Sequence, residues 1–239
     1  MKTVLYPASE RGHFDFGWLN TYHTFSFGQY YEPSRMNFGA LRVLNDDTVA
    51  PGEGFGTHPH RNMEIISIPL EGVIMHRDSM GYEEGIKPGE IQVMSAGTGI
   101  THSEFNGSST NGLKFLQLWI IPERANVEPR YEQVHIEPLT PNEIKTVIGP
   151  LGAGTPLWIN QQAWLSLART SSNGVVTYTK QRSDSGVFVF VTDGSVDVAG
   201  DTASVSLSKR DGLGVTEADV LAFTSNGDAQ FIVIEVPLL

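Results

Sequence analysis

The chain contains no cysteine among its 239 residues. This absence excludes disulfides, thiolate metal sites, cysteine-ligated iron–sulfur clusters and a cysteine nucleophile. Any metal site in this protein must therefore be built mainly from histidine, aspartate or glutamate side chains. Neutral imidazole and carboxylate ligands suit divalent first-row metals.

Positive charge is also scarce, because 16 lysines and arginines stand against 27 aspartates and glutamates, for a net charge of −11. A non-specific nucleic-acid binder neutralises several phosphates with clustered basic side chains, and this sequence supplies no such cluster. We therefore expect no direct nucleic-acid partner and no anionic membrane surface as partner. A basic protein partner is compatible with the charge.

Long apolar runs are missing as well. No run approaches the roughly 20 residues that span a bilayer, and residues 1–7 lack the apolar stretch of roughly 7–15 residues that a signal peptide needs. The sequence therefore predicts no membrane association and a cytoplasmic location. A composition of 40% hydrophobic and 18% charged residues is typical of a folded globular chain, and the length fits one large or two small domains.

Strand signals dominate, since short apolar or alternating runs are interrupted by glycine, proline, asparagine and aspartate. Helical periodicity is nowhere comparably strong. Asp193-Gly194 and Asn226-Gly227 each separate two β-rich runs, which is the sequence signal of a β-hairpin. The sequence predicts an all-β fold, a sandwich or a barrel. The predicted strands are residues 38–44, 63–70, 73–77, 90–94, 113–121, 163–168, 175–179, 187–191, 195–198, 220–223 and 231–236.

A weak internal repeat indicates two similar β-domains. Residues 67–74 and 190–196 share a strand, an acidic-glycine turn and a second strand, and residues 115–122 resemble residues 231–237. Each copy of the turn precedes its later strand by a similar length of chain. The repeat therefore favours a tandem arrangement of two domains of one type.

The boundary between these domains is predicted in the proline- and glycine-rich stretch 138–156, which interrupts regular structure. We place an N-terminal, metal-binding domain at residues 1–140 and a C-terminal domain without metal at residues 141–239.

The histidines are distributed unevenly, because all seven lie at or before residue 135. His58 with His60, and His102 with Glu104, form two pairs at spacing i, i+2, and on a strand such residues point to the same side. If both segments line one barrel, three imidazoles and one carboxylate converge on a divalent metal. The alternative is a chance pair of surface motifs. Glycine-rich segments before both pairs favour a site.

Two motifs around these histidines resemble those of the cupin superfamily. The first is Gly52-x5-His58-x-His60 followed by Glu64 and Gly72, and the second is Gly99-x2-His102-x3-Asn106. Gly72 lies one residue further from Glu64 than usual, and Gly97 replaces an expected proline. More specifically, residues 11 to about 131 resemble the pirin family, through residues 11–13 (RGH), 23–27 (HTFSF), 38–43 (FGALRV), 54–60 (GFGTHPH), 76–81 (HRDSMG) and 94–104 (MSAGTGITHSE).

The resemblance to pirins implies a bicupin, that is, two jelly-roll β-barrel domains in tandem. It also implies that His58, His60, His102 and Glu104 hold the metal. In this pattern Glu64, a ligand in other cupins, becomes a supporting or structural acid. We expect His13, His23, His76 and His135 to form hydrogen bonds rather than to bind metal.

Bacterial pirins of this type act as quercetin 2,3-dioxygenases, which open the central ring of a flavonol with O₂ and release carbon monoxide. The resemblance thus implies a flavonol-like substrate, O₂ as co-substrate, and Glu104 as the catalytic base that takes the proton of the 3-hydroxyl group. Fe(II) is the expected metal, while the ligand types also admit Mn, Co, Ni, Cu or Zn. Phe55, Phe105, Met63 and Trp119 are either pocket walls or core residues.

The second domain is predicted to lack a metal. Placing Gly194 on Gly72 shifts the numbering by 122, so that Lys180 and Arg182 occupy the positions of His58 and His60. Both side chains are cationic and unsuited to binding a cation. We expect this domain to serve as a packing partner or lid.

Two other functions remain open at the level of sequence. Some pirins are redox-sensitive transcriptional co-regulators that bind a protein partner, and the same four ligands would serve such a sensor. A cupin isomerase or hydrolase that uses zinc or manganese would consume no O₂. We expect a monomer in each case.

Overall fold

The computed structural model describes residues 1–172 and 174–239. Its regular structure is almost entirely β, with short 3-10 helices at Ala8–Glu10 and Pro33–Arg35. Within these ranges, no helix is long and apolar enough to cross a membrane. The strands are β1 (Lys2–Tyr6), β2 (Gly12–Asp15), β3 (Leu19–His23), β4 (Leu41–Val49), β5 (Gly54–His60), β6 (Glu64–Glu71), β7 (Ile74–Asp78), β8 (Glu83–Ile86), β9 (Glu90–Ser95), β10 (Ile100–Asn106), β11 (Leu113–Ile120), β12 (Arg130–His135), β13 (Glu143–Pro150), β14 (Leu157–Ile159), β15 (Trp164–Thr170), β16 (Val175–Thr179), β17 (Ser185–Asp193), β18 (Ser195–Ala199), β19 (Ser204–Ser208), β20 (Gly212–Thr216), β21 (Val220–Thr224) and β22 (Ala229–Pro237).

These strands form two barrels, each built from one seven-stranded and one four-stranded sheet. The first barrel combines the order β12-β9-β6-β11-β4-β3-β2 with β5-β10-β7-β8, and the second combines β1-β20-β17-β22-β15-β13-β14 with β16-β21-β18-β19. Nearly all neighbouring strands are antiparallel, and β13 with β14 is a parallel pair. The predicted all-β fold with two cupin barrels in tandem is confirmed.

The two large sheets pack against each other and share one hydrophobic core. On β17, Phe188 and Phe190 point into this shared core, whereas Val187, Val189 and Val191 point into the second barrel. The alternation arises because successive side chains of a strand face opposite sides of its sheet. A strand with both faces buried reads as a continuous apolar run, which explains why residues 187–191 stood out in the sequence.

The two Asp-Gly and Asn-Gly turns do not close hairpins. Gly194 adopts a φ of 73°, as the turn chemistry requires, but β17 and β18 on either side of it belong to different sheets. Asn226-Gly227 likewise joins β21 and β22, which lie in different sheets. The prediction of tight turns is therefore correct, and the prediction of hairpin pairing is wrong, since each turn carries the chain from one sheet of the barrel to the other.

The N-terminal strand crosses to the second barrel. β1 pairs antiparallel with β20, so that Lys2 is opposite Thr216 and Tyr6 opposite Gly212. Residues 2–6 therefore lie in a sheet of the second barrel, although the sequence analysis placed them in the N-terminal domain. For the rest of the chain, the division between residues 140 and 141 stays a prediction. Between the barrels, Asp46 accepts ion-paired hydrogen bonds from Arg11 at 3.2 Å, and its carboxylate lies 2.9 Å from Arg210.

Candidate metal centre and cavity

Two adjacent strands of the four-stranded sheet in the first barrel, β5 and β10, bring the predicted histidines together. In the antiparallel pairing of β5 and β10, His58 lies directly opposite His102, while His60 lies opposite Ile100. The register shifts between His102 and Glu104, which marks a β-bulge. Such a bulge redirects side chains at a site and increases the local twist.

The three imidazoles form a compact cluster. Ring centroids of His58 and His60 are 4.8 Å apart, those of His58 and His102 are 4.5 Å apart, and those of His60 and His102 are 4.8 Å apart. One ligand nitrogen from each ring lies within 4.8 Å of the other two. The cluster can therefore offer three nitrogen ligands to one metal ion.

Glu104 lies beside this cluster rather than within the same three-histidine group. It belongs to a second group of potential ligands with His102 and His76, which again lie within 4.8 Å of one another. Its carboxylate accepts a hydrogen bond of 3.1 Å from the Ser67 hydroxyl and one of 2.8 Å from the Gln117 amide. His102 is thus shared by both groups, and Glu104 is held by two donors from the large sheet.

His76, which the sequence analysis did not expect to bind metal, lies next to the candidate metal centre. Its Nε2 lies 3.0 Å from the Asp78 carboxylate, which can only accept while it is ionised, so that Nδ1 carries the free lone pair. That Nδ1 atom is buried and has no hydrogen-bond partner in the described part of the chain. The i, i+2 spacing of His76 and Asp78 was the available signal, because it predicts an imidazole oriented by a carboxylate on one strand face.

The orientation and charge of the histidines suit metal binding. His58 Nδ1 lies 2.7 Å from the carbonyl oxygen of Gly56, which must accept, so the lone pair of His58 is on Nε2. Burial, with the neighbouring His58 and His76, lowers the pKa of His102 to about 3, and burial lowers the pKa of His60 to about 4. The His60 and His102 rings are therefore neutral near pH 7, and neutral imidazole is the ligating form.

His102 provides the test of whether these residues fit a metal. The side chain is buried, and neither of its ring nitrogens has a hydrogen-bond partner among the residues that the structure describes. A buried polar atom without a partner is unfavourable, because it has lost water and gained nothing in exchange. A metal ion bound by one of these nitrogens would satisfy it, so the residues fit a metal.

A cavity of about 210 Å³ opens beside the cluster. Its walls include the predicted ligands His58, His60 and Glu104 and, of the four predicted wall residues, Phe55 and Trp119. Trp119 also packs edge-on against His60 at 4.9 Å. Phe105 is instead exposed on the outer surface, and Met63 packs in a small core cluster.

Sequence reasoning missed the part of the cavity formed by β3 and β4. The residues there are Thr21, His23, Asn45 and Asp47, with Phe27 nearby in the lining. Burial is the main reason that the pKa of Asp47 rises to about 7, and that the pKa of His23 falls to about 4. The signal was a strand whose inward positions are polar, which lacks the apolar alternation used to find strands.

The remaining acids and histidines are used elsewhere. Glu64 is buried and accepts hydrogen bonds from the Ser95 hydroxyl at 2.6 Å and the Asn160 amide at 3.1 Å. His13 stacks on Tyr22 with a centroid distance of 4.3 Å. His135 is exposed near Glu137, at 3.9 Å.

In the second barrel, other groups occupy the positions that correspond to the histidine pair. Lys180 donates to the carbonyl oxygens of Ser183 and Ser185, and Arg182 pairs with Asp184 at 2.7 Å. Close by, Glu235 is fully buried and accepts hydrogen bonds from the Tyr178 hydroxyl and from backbone amides. A buried carboxylate with this many donors holds the local loop in place.

Comparison with known proteins gives consistent results over both barrels. The family model described as Pirin matches residues 6–120, and the one described as quercetinase C-terminal cupin domain matches residues 146–236. A protein named quercetin 2,3-dioxygenase from Escherichia coli strain K12 is 40% identical over 237 residues, which cover 98% of each chain. A pirin-like protein from Caulobacter vibrioides is 35% identical and covers 96% of this chain and 97% of its own.

Among solved structures, the bacterial pirin YhhW from Escherichia coli in complex with nickel(II) is similar throughout. It is 38% identical, has a TM-score of 0.92, and the match covers 100% of both chains.

Proposed function

Because the chain belongs to the pirin family, we propose that it is a metal-dependent dioxygenase that opens the central ring of a flavonol such as quercetin with O₂ and releases carbon monoxide. The observation that carries the proposal is the cluster of three imidazoles, His58, His60 and His102, beside the buried Glu104 carboxylate and next to a cavity with aromatic walls. The relatives named quercetin 2,3-dioxygenase support the choice of substrate.

We assign His58, His60, His102 and Glu104 as the metal ligands. A divalent metal at this position would polarise a substrate oxygen, and iron would add redox chemistry towards O₂. The nickel(II) complex of the similar bacterial pirin supports a divalent metal here. Fe(II) is the metal we propose for the reaction, since iron would combine Lewis acidity with redox chemistry.

Glu104 is the proposed base. Its two oxygens accept from Ser67 and Gln117, which orient the carboxylate and leave further lone pairs free towards the cavity. In this role Glu104 takes the proton of the flavonol 3-hydroxyl, so that the substrate becomes an anion before it reacts. The aromatic side chains of Phe55 and Trp119 would pack against the planar ring system.

The ligand assignment is tested by metal content after reconstitution with ferrous iron under nitrogen. His58→Ala and His102→Ala should each lower bound iron well below one ion per chain, because each removes one of three imidazoles. Lys180→Ala is the matched control in the second barrel and should bind as much iron as the wild type. Stoichiometric iron in both histidine variants would overturn the assignment.

The role of Glu104 is tested with Glu104→Gln, which preserves side-chain size, removes the charge and replaces one acceptor oxygen by a donor nitrogen. We expect this variant to retain part of its iron and to lose most quercetin turnover, by about 10²-fold or more, since a positioned base contributes about 10²–10⁴-fold. Iron content is measured on the same sample, so that turnover is expressed per bound ion. Full turnover per ion would reject the base role.

A further inference from the structure

One side of the cavity is polar where the interior of a barrel is normally apolar. In the register of β3 and β4, Thr21 lies directly opposite Asp47, and His23 lies directly opposite Asn45. All four side chains line the cavity next to the metal cluster. We call these residues, Thr21, His23, Asn45 and Asp47, the polar wall.

The polar wall is buried and unsatisfied. Each of its residues is at most 5% exposed. Within residues 1–172 and 174–239, four atoms of the wall have no hydrogen-bond partner: Thr21 Oγ1, His23 Nδ1, Asn45 Oδ1 and Asp47 Oδ1. Almost all buried polar atoms in proteins are paired, so four unpaired atoms on two neighbouring strands point to a ligand that pairs with them. By contrast, the buried Asn106 amide on β10 donates to three backbone carbonyls.

The rest of the cavity defines the kind of molecule that would fill it. Phe27, Phe55 and Trp119 contribute aromatic surfaces, and His58, His60 and Glu104 contribute the metal-binding end. A molecule that satisfies all three regions is planar and aromatic, presents an oxygen to the metal, and carries hydroxyl groups elsewhere. Asn45 Oδ1 accepts hydrogen bonds, as does a carboxyl oxygen of Asp47, so both match phenolic O–H donors.

We propose that the polar wall determines substrate specificity by binding the hydroxyl groups on the outer rings of a polyhydroxylated phenolic substrate. This inference rests on the proposed function and adds which substituents the site selects. A site with buried hydrogen-bonding groups rejects analogues that lack the matching hydroxyls, because the protein groups are then left unpaired. Thr21 and Asn45 therefore act on selectivity, while the metal end acts on the reacting ring.

The test compares quercetin, which has hydroxyl groups on both outer rings, with 3-hydroxyflavone, which has none there. Both carry the same 3-hydroxyl and 4-carbonyl groups. Dissociation constants are measured by titration calorimetry on the iron-loaded protein under nitrogen, so that binding is read without turnover. Consumption of each compound is then measured in air with the same samples.

The variants are Asn45→Leu and Thr21→Val, which keep side-chain size and remove the polar atoms. Thr170→Val is the matched control, because Thr170 is fully buried in the second barrel and its hydroxyl also has no hydrogen-bond partner among the described residues. Thermal unfolding of each metal-free variant is measured alongside. A residue that serves only the fold would lower stability when changed, whereas an unpaired group kept for a ligand would not.

We expect the wild type to bind quercetin at least about tenfold more tightly than 3-hydroxyflavone, and each wall variant to reduce that ratio by about threefold to tenfold. The dissociation constant of 3-hydroxyflavone should differ by less than about twofold between each wall variant and the wild type. The unfolding midpoints of the wall variants should match or exceed the wild type. Thr170→Val should leave the ratio unchanged.

A wild-type ratio near one, or ratios in both wall variants equal to that of the wild type, would overturn the inference. So would variants that lose stability and weaken both compounds equally. The outcomes separate from those of the proposed function. If neither compound is consumed while the binding ratios behave as expected, the dioxygenase proposal fails and the polar wall stands. If both compounds are consumed and the wall variants keep the wild-type binding ratio, the dioxygenase proposal stands and the polar-wall inference fails.

Discussion

Asp47 should make the metal-free protein less stable as the pH rises, and Asp47→Asn should remove that loss. Burial raises the pKa of Asp47 from 3.8 to about 7, and the neighbouring charges of Asp46 and Glu104 act in the same direction. The unfolded chain releases this proton near pH 3.8, whereas the folded chain keeps it up to about pH 7. Stability therefore falls as the pH rises through that window.

The magnitude follows from the width of the window. A shift of about three pKa units at about 1.4 kcal/mol each gives about 4 kcal/mol at pH 8, where both states have lost the proton. At pH 5.5 the unfolded chain has lost it and the folded chain has not, so the loss is about 2 kcal/mol. Asparagine carries no charge in either state, so Asp47→Asn should be more stable than the wild type by about these amounts.

The assay is urea unfolding of chelator-treated protein at pH 5.5 and pH 8, with the free energy of unfolding taken by linear extrapolation. Comparing variant with wild type at each pH cancels the titration of all other groups. The exposed Asp201 supplies the control, since Asp201→Asn should change stability little at either pH. An Asp47→Asn variant that is less stable at pH 8, or whose gain is the same at both pH values, would refute the reasoning.

Three further predictions concern other parts of the chain. Glu235→Ala should destabilise the protein to urea by about 3 kcal/mol or more, because the Tyr178 hydroxyl and two backbone amides lose a buried acceptor at about 1–3 kcal/mol each; a loss under about 1 kcal/mol would contradict this. Gly97→Ala should lower the thermal midpoint, since its φ is 47° and a Cβ would lie 2.1 Å from the Val127 carbonyl oxygen; an unchanged midpoint would contradict the strain. Burial lowers the pKa of His23 from 6.5 to about 4, so between these values the unfolded chain binds a proton that the folded chain does not bind. Stability should therefore fall from pH 6.5 to 4.5 by about 2 kcal/mol more than in His23→Gln. Equal urea midpoint shifts in both proteins would argue against it.

The fold could be predicted where strands are buried on both faces. Residues 187–191 and 231–234 are continuous apolar runs because one face lies in the second barrel and the other in the core between the barrels. β3 could not be found in this way, because its inward residues Thr21 and His23 line a polar cavity. Pairing was also unreadable locally, since the turn at Gly194 serves equally well to join two sheets.

The candidate centre could be located from spacing, since i, i+2 pairs on adjacent strands must share a face. The structure brings His58, His60 and His102 together. It also places His76 in a second group of potential ligands with His102 and Glu104. The polar wall of the cavity could not be predicted from the sequence. Its residue pairs are set by the register between β3 and β4, and the two members of each pair are more than 20 residues apart in sequence. The assignment of His58, His60, His102 and Glu104 as metal ligands, and of Glu104 as the base, stays a prediction.

The measurement that tests the central claim most directly is O₂ uptake together with carbon monoxide release, with quercetin as substrate and protein reconstituted anaerobically with ferrous iron. Metal-free protein and Glu104→Gln are run in parallel. We expect about one O₂ consumed and one carbon monoxide released for each quercetin lost, with turnover dependent on iron. Stoichiometrically bound iron with no O₂ uptake would contradict the assignment of this site to a flavonol dioxygenase.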